Sequence, residues 1–325
     1  MPTQCKAERL TFSWAERRRV VAAFDGGTVS SDGGALLLGK SDAAMGLIER
    51  LSHCFIDERR ADRIEQPLRT LVDQRVFALA LRYEDVNDDD TLRHDPVMGA
   101  LVGKLSARVR KDCAALAGKS TLNRLECYPA DGTHRYHKIR PDGEAIERLF
   151  VEVILDAYRE APTEIVSDLD ATDVPLHGEQ EARFFHGYYD HYFYLALYIF
   201  CGEHLLAAKL RPANIDGAAG ACEAIARIVG QVRVRWPKTC IVLRAESGFC
   251  RESLMRWCEK NRVDYVFGLA RNARLVRAIG AELKSAETES ARTQRPARRF
   301  RELDYQTRKS WSRSRRVVAK SRAYG

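Results

Sequence analysis

Two short acidic stretches constrain this chain more than anything else in it: DLDATDVPLHG, from Asp168 to Gly178, and LRAESGFCRE, from Leu243 to Glu252. Each follows or ends an apolar run of strand length. Each puts an acidic side chain where that strand should end. Two carboxylates delivered from separate strand ends make a site for a hard divalent metal, which takes oxygen ligands rather than His or Cys. Such a site needs a sheet that sets the two strand ends side by side.

The order of elements supplies that sheet. Glu164 to Asp170 reads as a first strand, Tyr192 to Cys201 as a second, and His204 to Leu210 as a third after the turn at Gly202-Glu203. Connections this short imply an antiparallel meander. Asp216 to Val234 reads as a helix with Ala221, Ile225, Ile228 and Val232 on one face, stopped by Pro237. A fourth strand (Cys240 to Leu243), a helix (Arg251 to Asn261) and a fifth strand (Asp264 to Leu269) complete the series. The predicted fold class is therefore α/β. Its β-β-β-α-β-α-β order joins a meander to right-handed crossovers in one mixed, ribonuclease H-like sheet. In that order the first strand is central and the fourth lies beside it. Asp170, closing the first, and Glu246, closing the fourth, become neighbours at one sheet edge. Two such acids can hold two Mg²⁺ ions roughly 4 Å apart. Asp168 shares the face of Asp170 one pleat back, and Asp173 falls in the loop beyond. His177 reads as a loop histidine with a local hydrogen bond.

The chain upstream carries less chemistry. In residues 1–40 two Asp-Gly-Gly turns flank the short strand TVSS. Gly34 to Ser41 matches the phosphate-loop pattern. No buried strand precedes it, and its Ala and Leu residues read as the apolar face of a starting helix. Residues 41–141 read as a mainly helical region and a candidate DNA-binding part. Pro67 opens one helix there. The acidic run Glu84 to Asp90 reads as a solvated loop. Lys119 to Glu126 forms a short helix capped by Ser120 or Thr121. His134 and His137 lie in a turn-rich boundary that denies them a metal-binding helix. Residues 142–280 then form the core, opened by an amphipathic helix from Asp142 to Arg159, and residues 281–325 a basic β segment.

Composition sets the partner. The net charge is +8 and the pI about 9.0, and the excess of Lys and Arg is concentrated after Arg292. That balance favours a polyanion. The nine cysteines are irregularly spaced with no C-x-x-C pair, which fits reduced thiols in a cytosol. The N-terminus has no apolar signal region, and the longest apolar run, Tyr192 to Cys201, is too short to span a bilayer. No membrane role is expected.

Several motifs together resemble the DDE transposases of bacterial insertion sequences over nearly the whole chain: DLDATDVPLHGEQEARFFHGYYDHY, ILDAYREAP, RPANIDGAAGA, RAESGF and DYVFGLARNARL, with DGG-x4-DGGALLL and YEDVNDDDTLRHDP nearer the N-terminus. The resemblance implies a ribonuclease H-like core that binds two Mg²⁺ (or Mn²⁺) and cuts and joins transposon ends. It implies DNA, the terminal inverted repeats, as partner, a homodimer on that DNA as one arrangement, and a bacterial cytoplasmic, nucleoid-associated location. The family's first catalytic Asp falls on Asp170 and its second on Glu246, so these two are the expected catalytic and metal residues. Two departures accompany it. Glu246 stands where the family has Asp, and a shift of about 1 Å can cost roughly 10²-fold at a reacting centre. The third acid, in a motif like Y-x-x-R-G-x-x-E-N-x-I-K-E, has no counterpart; Glu282, Glu287, Glu289 and Glu302 do not match it. The expectation is a C-terminally truncated, impaired or inactive transposase, with a non-catalytic DNA-binding remnant as the alternative. In the family a β-rich insertion follows the fifth strand. Arg299 to Tyr305 and Arg315 to Lys320 read as its first strands, with Arg and Lys for phosphates and Trp311 for stacking.

Overall fold

The computed structural model describes residues 10–12, 20–22, 31–104, 116–129, 135–187 and 190–324. The segment TVSS and His134 fall largely or wholly outside these residues. The chain divides into two compact units, Met1–Leu149 and Phe150–Gly325.

The first unit pairs β1 (Leu10–Phe12) with β2 (Val20–Ala22), and β3 (Phe55–Asp57) with β4 (Ile139–Pro141). Its helices are α1 (Ala35–Met45), α2 (Leu47–Ser52), α3 (Leu68–Ala80), α4 (Asp89–Leu92), α5 (Pro96–Leu101) and α6 (Lys119–Glu126). The phosphate-loop-like stretch is indeed helical, as α1, with Ala35 and Leu36 buried. Pro67 caps α3, whose inner face carries Leu71, Val72 and Phe77 into a core with Met98, Leu122 and Ile139. The acidic run is exposed at Glu84, Asp85, Asp88 and Asp90 as expected, and Asp89 departs from it. Asp89 is fully buried and accepts a bond of 3.1 Å from the Gln74 amide, which also bonds the Ala117 carbonyl at 2.8 Å. Asp90 supplies the cap expected of Ser120 or Thr121: Gly118 starts α6, and the Lys119 N–H donates to the Asp90 carboxylate at 3.0 Å.

The helix α7 (Gly143–Ala157) leads into the second unit. There a sheet of six strands runs in the order β10 (Asp264–Phe267), β9 (Cys240–Ala245), β5 (Glu164–Pro175) and β7 (His191–Cys201). Both β6 (Phe184–His186) and β8 (His204–Lys209) pair with β7. The contacts of β9 with β5 and β10 are parallel, and those of β7 are antiparallel. Counting core strands along the chain, the order is 5-4-1-2-3, the ribonuclease H-like arrangement expected from the sequence. One sheet face is packed: Ile165, Leu169, Leu197, Ile199, Leu206 and Leu243 bury against α7, α8 (Ala221–Arg235) and α9 (Glu252–Lys260). Two details differ. β5 continues past Asp170 to Pro175, because the long β7 goes on pairing with it after β9 has stopped. Asp173 therefore lies in the strand rather than in a loop. The hairpin partner β6 was not expected.

After α10 (Ala273–Ala278) and α11 (Gly280–Thr293), β11 (Ala297–Tyr305) and β12 (Arg315–Ala323) form the expected hairpin. Its inner arginines are tied down, Arg299 to Glu289 and Arg301 to Glu282. Trp311 is not a stacking platform. It is only 8% exposed and packs edge-on to Tyr305 in a small core with Met255. Among the described residues no helix is long and apolar enough to cross a membrane.

Candidate active site

The parallel register of β5 and β9 runs from Glu164 opposite Cys240 to Leu169 opposite Ala245. The next residue on each chain is an acid, Asp170 on β5 and Glu246 just beyond β9. Neighbouring strands lie about 4.8 Å apart, and side chains alternate between faces. Ile165, Ser167 and Leu169 point into the core, as do Ile241 and Leu243. Asp168, Asp170 and Arg244 take the other, open face. The backbone at Glu246 is still extended (φ −71°, ψ 176°), so this acid keeps the alternation and joins them. Asp170 and Glu246, distant in sequence, are brought to adjoining positions, and both are exposed.

Each acid has its own support. The Thr172 hydroxyl donates to the Asp170 carboxylate at 2.8 Å. Glu246 opens a tight turn in which the Phe249 N–H donates to its carbonyl at 3.1 Å and the Phe249 ring is buried. Gly268 closes on this turn from β10. Its N–H donates to the Ala245 carbonyl at 2.9 Å, and a Cβ placed on it would lie 2.8 Å from the Ser247 nitrogen and 3.2 Å from the Glu246 carbonyl carbon. Only a residue without a side chain fits there. Sequence reading passed over Gly268; the one clue was a glycine directly after the strand DYVF. Asp168 is held differently. Arg244, its Cα partner across the ladder, grips it through both Nε and Nη2, and that partner raises the guanidinium's pKa.

The sequence profile described as Transposase DDE domain group 1 matches residues 12–324. The chain belongs to this transposase family. No curated protein matches it. Among solved structures, the catalytic domain of Mos1 mariner transposase aligns at 10% identity with a TM-score of 0.25, over 46% of this chain and 72% of that one. The piggyBac transposase, in a synaptic complex with hairpin DNA, aligns at 13% identity with a TM-score of 0.38, over 87% of this chain. The chain spans 60% of the piggyBac chain's length.

In this transposase residues 211–220 form a loop, so α8 begins at Ala221 and not at Asp216. The buried Arg211 donates from Nε to the Leu195 carbonyl at 2.9 Å and from Nη1 to the carbonyls of Gly217 and Ala219. A Cβ on Gly217 would touch that of Ala171 at 3.7 Å, so the loop meets β5 on its core face, opposite the face that carries Asp170. Asp216, in this loop, is already committed. It accepts from Arg251 at 2.8 Å and from the Ala218 N–H at 2.8 Å, and these bonds hold it below the usual carboxylate range. His177 is exposed, and its carbonyl accepts from the Gln180 amide. Among the described residues no three His, Cys, Asp or Glu side chains gather to hold a metal. Neither Asp170 nor Glu246 forms an ion pair with a described residue. The edge therefore offers two carboxylates, a hard-oxygen donor set of the kind that suits a divalent metal.

Proposed function

We propose that this chain is a metal-dependent DNA transposase of insertion-sequence type, built to act on the terminal inverted repeats of its element, with Asp170 and Glu246 as the acids that hold the metal. The parallel register that ends in these two acids on an open sheet face is the observation that supports this reading most. Bound there, Mg²⁺ or Mn²⁺ would activate an attacking water or 3′-hydroxyl and stabilise the leaving oxygen. The chain's own residues do the rest. Thr172 orients Asp170, Phe249 and Gly268 fix the backbone of Glu246, and Arg244 keeps Asp168 turned aside. Arg298, Lys320 and Arg322 stand exposed on the hairpin's outer face, where they can neutralise phosphates. Glu246 is longer by a methylene than the family's Asp, and a displacement of about 1 Å at the metal should slow cleavage roughly 10²-fold.

The test pairs metal titration with a nicking assay. Calorimetric titration with Mn²⁺ should show binding that is lost in both Asp170→Ala and Glu246→Ala. With Mg²⁺, nicking of supercoiled DNA carrying the element's ends should be slow and should rise in Glu246→Asp. Metal binding that survives both substitutions would sink the site, and no gain in Glu246→Asp would sink the cost assigned to the longer side chain. Glu246 standing where the family has Asp also favours a second reading, a non-catalytic DNA-binding remnant. On that reading, end binding is unchanged by Asp170→Ala and by Glu246→Asp, with or without metal.

A further inference from the structure

In the first unit, one face of α6 opens on a cleft of about 580 Å³. Lys119, Ser120, Asn123 and Arg124 line it from the helix, and Tyr136 faces them from the segment before β4. The opposite face of α6 carries Leu122 and Leu125 into the core. Among the described residues no carboxylate lines the cleft. The only acid of α6, Glu126, is drawn away to the buried Arg75. Lys119 is partly balanced by Asp90 at 3.6 Å. The Tyr136 ring is 63% exposed, so core packing does not explain it. Arg124 and Arg135 each set a guanidinium 5.6 Å from its centroid. Neither arginine has an acidic partner among the described residues. An aromatic ring that holds two guanidinium groups lowers the entropy they lose on binding, and the planar fork of Arg matches phosphate oxygens.

We propose that this cleft is a phosphate site for the DNA backbone. Arg124 and Arg135 grip phosphates along one strand of a duplex, Lys119 adds charge, and the Ser120 hydroxyl and Asn123 amide donate to neighbouring oxygens. The contacts position the first unit on DNA and read no sequence. This inference rests on the DNA-binding part of the proposed function and adds the place where the first unit makes contact.

The experiment follows the anisotropy of fluorescein-labelled duplex DNA of random sequence across a salt series. It compares the full chain with the triple variant Lys119→Gln, Arg124→Gln, Arg135→Gln, with Arg124→Gln and Arg135→Gln singly, and with Arg124→Lys. The slope of log K against log salt should become shallower by about 2 to 3 in the triple variant and by about 1 in each single glutamine variant. Arg124→Lys should keep the wild-type slope, because it keeps the charge. Circular dichroism and thermal unfolding check the fold, and the single variants decide the matter if the triple variant does not fold. Equal slopes for wild type and folded variants overturn this inference and leave the proposed function standing. A wild-type chain that binds no duplex overturns both.

Discussion

Each unit places guanidinium groups against buried acids, and the acids respond in opposite ways. In the first unit Asp73 and Asp89 are pushed up to about 6, because burial outweighs the Arg69 bond to Asp73 and the Gln74 bond to Asp89. In the second unit Arg315 sits between Glu252 and Glu259, and both are held down at about 2. For Glu252 the bond from Arg315 leads. For Glu259 burial pushes upward, and the bonds from Arg315, Tyr265 and Arg313 together overcome it. Depth of burial and number of donors together separate the two cases. Asp89 is fully buried, its second oxygen has no hydrogen-bond partner, and Arg75 stays 3.7 Å away. Glu259 receives Arg315 at 2.7 Å, Tyr265 at 2.8 Å and Arg313 at 2.9 Å. A buried carboxylate keeps its charge when donors fill its oxygens; a nearby cation alone does not ensure it.

The largest expected effect removes the donor side of this contrast. Arg315→Met should cost about 3 kcal/mol, because it leaves two partly buried carboxylates facing each other without their cation. Urea unfolding followed by tryptophan fluorescence should show the loss, since Trp311 packs beside Arg315 at 5.4 Å. An unchanged midpoint would mean that the pair of glutamates is not what fastens the hairpin.

A smaller effect is a pair of opposite pH trends. Asp73 and Asp89 titrate higher folded than unfolded. Their contribution is full below their ordinary value of 3.8 and is lost as pH rises through about 6. Glu252 and Glu259 titrate lower folded than unfolded. Theirs is full above 4.5 and is lost as pH falls through about 2. Between pH 5 and pH 7.5, hydrogen exchange corrected for its intrinsic rate should show α3 losing protection while β11 and β12 stay level. Asp89→Asn should remove part of the α3 trend. Parallel trends in both units would erase the contrast.

The sheet was legible because its signals are local. Apolar runs, short turns and an interrupting proline fix the strand order, and strand order puts Asp170 next to Glu246. What stayed hidden depends on which polar and aromatic side chains the fold buries. Trp311 in a basic turn reads as exposed until Tyr305, Met255 and Arg315 close around it. Asp89 in a run of acids reads as solvated until Gln74, on another helix, reaches it. The far end of β5 is drawn out by β7, and residues 211–220 are kept from helix by the buried Arg211, whose burial the sequence does not announce.

Gly268 carries the smallest expected effect and the closest test of how the acid edge is built. Gly268→Ala puts a methyl group 2.8 Å from the Ser247 nitrogen, and because that atom is backbone, the turn beginning at Glu246 must move. Mn²⁺ binding should weaken roughly tenfold, the lower end of what displacing a metal ligand's support costs. Stability should change by no more than about 1 kcal/mol, since a surface turn can shift without opening the core. Gly248→Ala is the matched control. It lies in the same turn, yet a Cβ there meets nothing within 4 Å, so it should leave Mn²⁺ affinity unchanged. Equal losses in both variants would mean that the turn tolerates no methyl group anywhere. A loss in Gly268→Ala alone would tie the position of Glu246 to the close approach of β10, and would make the second acid's placement a property of two strands rather than of its own.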